Sequence, residues 1–336
     1  MIKDFADINL ADRNSFHVRQ CARRLVEFDE ACELHDIFAG GVPGRWMVLG
    51  GGNNILFTRD YDGLLLVPRC SGCRVTGEDP DHVYMKVGAG VEWDDLVEET
   101  VSRGLWGLEN LSLIPGKVGA APVQNIGAYG AEAGDSIVEV EMFCPDTMNM
   151  LTLSAEHCGF GYRESIFKGS LKGRVVITAV TFRLSKHPRP NVGYGDLQRE
   201  VEARGGISLR NIRDAVCAIR RSKLPDTSVL GNAGSFFKNP VVDDSEADRL
   251  RSLYSSMPSY PAPDGRGVKL AAGWLIEQAG MKGVRQGAVG VHERQALVIV
   301  NHGGATGAEV LAFARRVQAC VRDKFGVDID TEVNII

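Results

Sequence analysis

Arg45-Trp46-Met47-Val48-Leu49-Gly50-Gly51-Gly52-Asn53-Asn54-Ile55-Leu56-Phe57 reads as a short apolar strand, a glycine turn and a second apolar piece. The strands are Trp46 to Leu49 and Ile55 to Phe57, with turn residues marking the break. Without Cβ atoms, the glycines let backbone N–H groups approach and point at a bound anion, and phosphate is the natural candidate. The run is not the Gly-x-Gly-x-x-Gly fingerprint of doubly wound sheets. No third glycine follows at the right spacing, and the next element is a strand, so no helix N-terminus stands behind the turn. Taken alone, it fits a plain tight turn as well as a cofactor loop.

Downstream, Leu64 to Val67 and His82 to Val87 read as further strands, and Glu92 to Arg103 as a helix with acids at its start and Leu96, Val97 and Val101 at helical spacing. Strands resume at Val138 to Cys144 and Val175 to Leu184, and Ser185 to Pro190 is a linker candidate. Ser208 caps a helix running to the break at Pro225, and Thr306 with Glu309 opens another that reaches Phe325 by a capping box. A domain boundary falls near residues 200 to 220. The chain closes with Val327 to Ile335, whose alternation predicts a half-buried strand with Glu332 on the polar side. The pattern is mixed α+β, without repeats or low-complexity segments.

A chain of 336 residues suffices for two or three compact units. Its net charge of −5 is scattered, with no basic stripe, so nucleic acid is not an expected partner. Met1 to Leu10 lacks a signal-type apolar core, and runs such as Ala296 to Val300 are too short to span a bilayer, so no membrane association is expected. Eight irregularly spaced cysteines point to reduced thiols in the cytoplasm. Cys70 and Cys73 have no second pair, and the histidines are spread singly, so no metal site is expected.

Three further segments carry candidate chemistry. Leu113 to Gly134 is crowded with Gly, Ala, Pro and Asn and lacks either period, which reads as a long functional loop against which a flat ligand can lie. Phe160 to Lys168 sets Arg163 among aromatics, where packing can fix a guanidinium for bidentate contact with a carboxylate. An ordinary ion pair, with Glu164 for instance, is the competing role. In Gly231-Asn232-Ala233-Gly234-Ser235-Phe236-Phe237-Lys238-Asn239-Pro240, Ser235 is a proton-donor candidate in a water-poor pocket. Helix capping is the alternative for that serine. The Gly-x-Ser-x-Gly elbow of serine hydrolases is absent.

These motifs occur in one order. Asn14-Ser15-Phe16-His17-Val18, the Gly50 turn, Leu108-Glu109-Asn110 to Gly130, the Arg163 run, Tyr194-Gly195-Asp196-Leu197, Arg220 to Asp226, the Ser235 decapeptide, Lys269 to Gln278 and Thr331-Glu332-Val333 together resemble the UDP-N-acetylenolpyruvoylglucosamine reductase family over essentially the whole chain. The stretch around Tyr194 is similar to the form that keeps an extra tyrosine-bearing loop over the substrate.

The resemblance implies a vanillyl-alcohol-oxidase-type (PCMH) FAD-binding fold in two subdomains, residues 1–70 and 71–205. It further implies an α+β substrate-binding domain over 206–325 and a final strand, 326–336, returning to the FAD region. FAD is implied as resident cofactor and NADPH as reductant. The expected FAD contacts are Gly50, Gly51, Gly52, Asn53 and Asn54 from the first loop. Those from the second are Ile114, Pro115, Gly116, Ala120, Ala121, Asn125, Gly127 and Ala128. Tyr129, Tyr194, Arg220, Lys223 and Asn239 would bind the nucleotide sugar, and Arg163, Ser235 and Glu332 would be catalytic. Where the family often has serine, this chain has Asn53, Ala120 and Ala121, which removes hydroxyl contacts to the pyrophosphate and leaves the backbone N–H groups. A cytoplasmic monomer is expected. An oxidase of the same fold would instead show flavin that reoxidises rapidly in air, and a non-catalytic nucleotide-sugar binder would be colourless.

Overall fold

The computed structural model describes residues 1–41, 44–262 and 265–336. They divide into two compact units: residues 1–8, 22–51 and 62–222 in the first, and residues 9–21, 52–61 and 223–336 in the second.

The first unit holds two sheets. One runs in the order Lys3–Asn9, Cys21–Phe28, Tyr61–Pro68, Trp46–Val48. Its last pair is parallel, with Trp46 opposite Leu64 and Val48 opposite Leu66. The helix Glu33–Ala39 buries Leu34 and Phe38, and Phe38 meets Trp46 edge to face at 5.3 Å between ring centroids. The other sheet has the order Asn149–Ser154, Ile137–Cys144, Val176–Ser185, His82–Gly88, Cys73–Glu78 and is antiparallel throughout. Its central strand is buried at every position except Arg183, which is why its sequence, with Thr178 and Thr181 set among apolar residues, does not alternate.

The helix Trp93–Ser102 buries Trp93, Leu96, Val97, Thr100 and Val101, the stripe expected of an amphipathic helix. It joins the same core as Leu209, Ile212, Ala215, Val216 and Ile219 of the helix Leu209–Lys223. Ser208 Oγ accepts from the Asn211 N–H at 3.1 Å, as the capping signal predicts. Arg213 locks the two helices together, donating to Asp94 Oδ1 at 2.7 Å and to Glu98 Oε2 at 2.6 Å. Arg210 adds a bidentate grip on Glu98, at 2.9 and 2.6 Å.

Those guanidinium hydrogen bonds, Arg210's foremost, push the Glu98 carboxyl down to about 2. A depressed folded-state value contributes stability that is complete above the unfolded value near 4.5 and is lost as pH falls towards about 2. Glu98 is 46% exposed, so solvent screening holds the gain below about 1 kcal/mol. In urea titrations, Glu98→Gln should therefore lose less stability than the unaltered chain between about pH 7 and pH 3. Equal losses would dismiss the linkage.

In the second unit one sheet has the order Gly231–Asn232, Ile299–Asn301, Val289–Val291, Arg285–Gln286. A smaller one has Val241–Val242, Val268–Leu270, Ser259–Pro261. The helix Gly307–Phe325 starts with the predicted capping box, Thr306 and Glu309 bonding each other's backbone N–H, and ends at Gly326 in the left-handed conformation. Tyr254, Trp274 and Phe325 pack as an aromatic triad.

The final segment differs from expectation. Instead of a strand over Val327 to Ile335, only Asn334–Ile335 is laddered, in parallel with Ile55–Leu56, and Thr331 makes an isolated bridge with Phe237. The alternation is real: Val327, Ile329 and Val333 are buried while Asp328 and Asp330 are exposed. Alternation records an extended backbone lying on a core, whereas a ladder also needs a neighbour in register. The expected long loop over Leu113 to Gly134 also has internal structure, with 3₁₀ turns at Val118–Ala120 and Ala133–Asp135 around a ribbon pairing Gly127–Ala128 with Ala131–Glu132.

Candidate active site

In the glycine turn, the backbone N–H groups of Gly50, Gly51, Gly52 and Asn53 make no backbone hydrogen bond among the described residues. Four consecutive donors are thus left for a ligand, and Gly51 is exposed. Gly52 has φ +67°, and a Cβ there would lie 2.1 Å from the carbonyl oxygen of Arg13, so only glycine fits. A Cβ on Gly50 would face the Ala120 methyl at 3.5 Å, so within the first unit the turn borders the second loop. That loop is pinned from below by Val118 N–H to Val91 O at 2.9 Å and Gly119 N–H to Ala89 O at 3.0 Å. The Ile114, Gly116 and Lys117 N–H groups make no backbone bond there, and Pro115 is exposed beside them. Within the first unit, the unspent donors of Gly50 and Gly51 and those of Ile114, Gly116 and Lys117 suit an anionic group without hydroxyl help. Of the two alanines standing in place of serine, Ala120 is exposed, while Ala121 is buried in the core.

Asn125, read as a cofactor contact, has φ +45° and is 2% exposed. Its amide donates to Glu132 Oε2 at 2.6 Å and to Gly161 O at 3.1 Å, and its Oδ1 accepts from Gly134 N–H at 2.8 Å. The side chain is spent on bracing the second loop against the Arg163 turn. Arg163 sits at φ +58° on a tight turn closed by reciprocal bonds between Gly161 and Glu164, an unusual backbone for a residue with a side chain. Its Nη2 donates to Gly127 O at 2.7 Å, and its guanidinium carbon stands 5.2 Å from the Tyr162 ring centroid. A Cβ on Gly127 would come within 2.9 Å of Arg163 Nη1. The guanidinium is thus fixed by its surroundings, as the aromatic run suggested. Ala128 lies next along the ribbon.

Tyr129, at φ +50°, meets Tyr194 edge to face, with centroids 6.0 Å apart and rings at 83°. Tyr194 is 58% exposed. Burial pushes the Tyr129 hydroxyl up, while the positive charge of Arg220 pulls it the other way. Burial pushes the Arg220 guanidinium down. Arg220 donates from Nε to Leu113 O at 3.2 Å, and among the described residues it forms no ion pair. A half-buried cation with donors to spare beside two tyrosines suits a phosphate-bearing ligand. Lys223, one turn further along the same helix, is exposed.

In the second unit, Glu332 N–H donates to Phe236 O at 2.8 Å, Lys238 N–H to Asp330 O at 2.9 Å, and Phe236 N–H to Leu297 O at 2.7 Å. Ser235 and Glu332 therefore sit on neighbouring extended segments, both half-exposed. Phe236 and Phe237 beside them are fully buried, with Phe16 edge to face on Phe236 at 6.0 Å. Asn232 braces the turn before Ser235, its Oδ1 accepting from Gly234 N–H at 2.9 Å and its amide donating to Leu230 O at 2.7 Å. Ser235 starts no helix, since the next begins at Asp244, and the capping alternative falls away. Asn239 does cap one: its Oδ1 accepts from Ala272 N–H at 3.0 Å, at the start of Ala272–Gln278. Asn54 donates to Glu332 O at 3.3 Å. Sequence reading missed Asn232, and Asn110 as a separate functional position, because neither lies in a periodic segment.

A cavity of about 430 Å³ in the second unit, lined by His17, Arg19, His302 and Gly303 to Thr306 among others, includes none of the expected site residues. Three of its loop N–H groups are already taken, those of Gly303 and Ala305 by Asn301 Oδ1 and that of Thr306 by Glu309.

The family described as UDP-N-acetylenolpyruvoylglucosamine reductase, C-terminal domain, matches residues 225–336, and the FAD binding domain family matches residues 41–148. Among curated relatives, the UDP-N-acetylenolpyruvoylglucosamine reductase of Burkholderia cenocepacia (strain HI2424) is 51% identical, covering 97% of this chain and 95% of its own. That of Burkholderia multivorans (strain ATCC 17616 / 249) is 54% identical with the same coverage, and that of Chromobacterium violaceum is 48% identical over 98% of both chains. The crystal structure of UDP-N-acetylenolpyruvylglucosamine reductase from Thermus caldophilus has the same fold, with a TM-score of 0.70 at 24% identity, over 100% of this chain and 98% of that one.

Proposed function

The chain belongs to the UDP-N-acetylenolpyruvoylglucosamine reductase family, and we propose that Arg163, Ser235 and Glu332 divide the chemistry of that reaction among them. The reaction is the FAD-dependent reduction, by NADPH, of the enolpyruvyl ether of UDP-N-acetylglucosamine to UDP-N-acetylmuramate, in peptidoglycan precursor synthesis. FAD would be held by the backbone N–H groups of Gly50 to Asn53, Ile114 and Gly116, and when bound it would supply the hydride chemistry that links NADPH to the substrate's β-carbon.

As the β-carbon gains that pair, negative charge collects on the substrate's carboxylate side as an enolate. Arg163 answers this charge with a guanidinium already fixed by Gly127 and Tyr162, so little reorganisation accompanies the step. Glu332 shares the carboxyl-group hydrogen bond or orients the arginine. Ser235 gives its proton to the α-carbon and completes the lactyl ether. A hydroxyl is a weak acid, and the strong basicity of the enolate makes the transfer feasible. Tyr129, Tyr194, Arg220, Lys223 and Asn239 hold the nucleotide sugar, with Arg220 and Lys223 suited to the UDP diphosphate or to the NADPH phosphate.

The observation that supports this reading is the backbone bond from Glu332 N–H to Phe236 O, which lays the segments carrying Ser235 and Glu332 next to each other within the second unit. Purified protein should be yellow, bleach anaerobically with NADPH, and recolour on adding the enolpyruvyl sugar. Recolouring in air as fast without that sugar would favour an oxidase instead. The reading extends to a cytoplasmic monomer, in keeping with eight free thiols, and light scattering at the one-chain mass checks the second half of that statement. Among the described residues no helix is long and apolar enough to cross a membrane.

A further inference from the structure

The two tyrosines come from segments far apart in sequence, and the structure shows what holds them together. Asn110 lies between them, 2% exposed. Its amide nitrogen donates twice, to the Tyr129 carbonyl at 2.8 Å and to the Asn191 carbonyl at 2.7 Å. Asn191 returns the link, its own amide donating to the Gly130 carbonyl at 2.9 Å. Three hydrogen bonds thus fasten the 191–194 segment onto the 129–130 turn. Val192 also packs against the core and the Tyr194 ring meets that of Tyr129, while Asn191, Gly193 and Tyr194 are exposed. Both carbonyls accept from one NH₂ group, so the amide orientation is unambiguous. Among the described residues Asn110 Oδ1 is buried and makes no hydrogen bond.

We propose that Asn110 is a positioning residue for the tyrosine-bearing segment, clasping Asn191 to Tyr129 so that Tyr194 is presented to the nucleotide sugar. The proposal rests on the reading of Tyr129 and Tyr194 as substrate contacts. A loop held ready binds with less ordering cost, so loss of the clasp weakens substrate binding and spares the steps that precede it.

Asn110→Ala and Asn191→Ala separate the two halves of the clasp, and the second alters an exposed side chain, so folding does not limit it. In each, KM for the enolpyruvyl sugar should rise about tenfold or more for Asn110→Ala and about threefold for Asn191→Ala, with kcat within about twofold and flavin reduction by NADPH unaltered. The double variant should lose less than the product of the two, because the residues act as one unit. Limited chymotrypsin digestion reads the same clasp without turnover. Cleavage after Tyr194 should be several-fold faster in both variants. Unchanged KM and unchanged cleavage in both would overturn the proposal, as would a loss confined to kcat. If the unaltered protein failed to reduce the enolpyruvyl sugar at all, the functional reading would fall, and the cleavage rates would still decide the clasp.

Discussion

Ser235→Ala protein should bind FAD and be reduced by NADPH at the rate of the unaltered enzyme, yet turn over the enolpyruvyl sugar on the order of 10²- to 10⁴-fold more slowly. That range corresponds to about 3–5 kcal/mol of barrier. The split follows from position. Ser235 sits in the second unit between a turn braced by Asn232 and two fully buried phenylalanines, while the donors assigned to FAD belong to other loops. Removing one oxygen leaves the backbone bonds of Phe236 to Leu297 and Glu332 in place, so the loss should be chemical rather than structural. Stopped-flow measurement of the NADPH half-reaction beside steady-state turnover separates the two. Turnover surviving within about tenfold, roughly 1.4 kcal/mol, would remove Ser235 as the donor.

Gly52→Ala should be the most damaging single methyl in the cofactor loops. The residue stands at φ +67°, and the added carbon would lie 2.1 Å from the Arg13 carbonyl oxygen and 2.9 Å from Asn14 Cα. The left-handed backbone costs an alanine about 1–2 kcal/mol, and the overlap adds roughly 1–3 kcal/mol as the turn is forced away. That movement also breaks the Ser15 N–H to Gly52 O bond, 3.0 Å long. Thermal unfolding should fall by roughly 6 °C or more, and the protein should be purified with a lower flavin-to-protein absorbance ratio. A variant matching the unaltered chain in both would refute the cradle assigned to Gly50 through Asn53.

Parts of this were legible in the residues because they depend on local chemistry. The capping box at Thr306 and Glu309 and the amphipathic stripe of Trp93–Ser102 are written in neighbouring side chains, and the structure returns both. The strand Asn149–Ser154 carries no such signal, since as a sheet edge it is exposed over its first four residues and has no buried face to impose a period. The second unit's strands are two or three residues long, too short for any periodicity. At the site, Arg163 stood out through its aromatic neighbours, but its anchoring depends on Gly127, thirty-six residues earlier. The side-chain amide of Asn125 braces the loop against Glu132, Gly161 and Gly134, a role sequence cannot show, because what an amide bonds is decided by the fold and not by its neighbours in sequence.

The parallel pairing of Asn334–Ile335 with Ile55–Leu56 also shapes how the molecule is born. Thr58 receives its partner from Ile336 and Asn54 from Asn334, across 278 and 280 residues, so the seam cannot close until residues 334–336 have been made. Residues 52–61 are made some 280 residues before their partners at 334–336, and joining such distant segments is slow. Deleting residues 334–336 should accordingly lower the yield of folded protein made in cells.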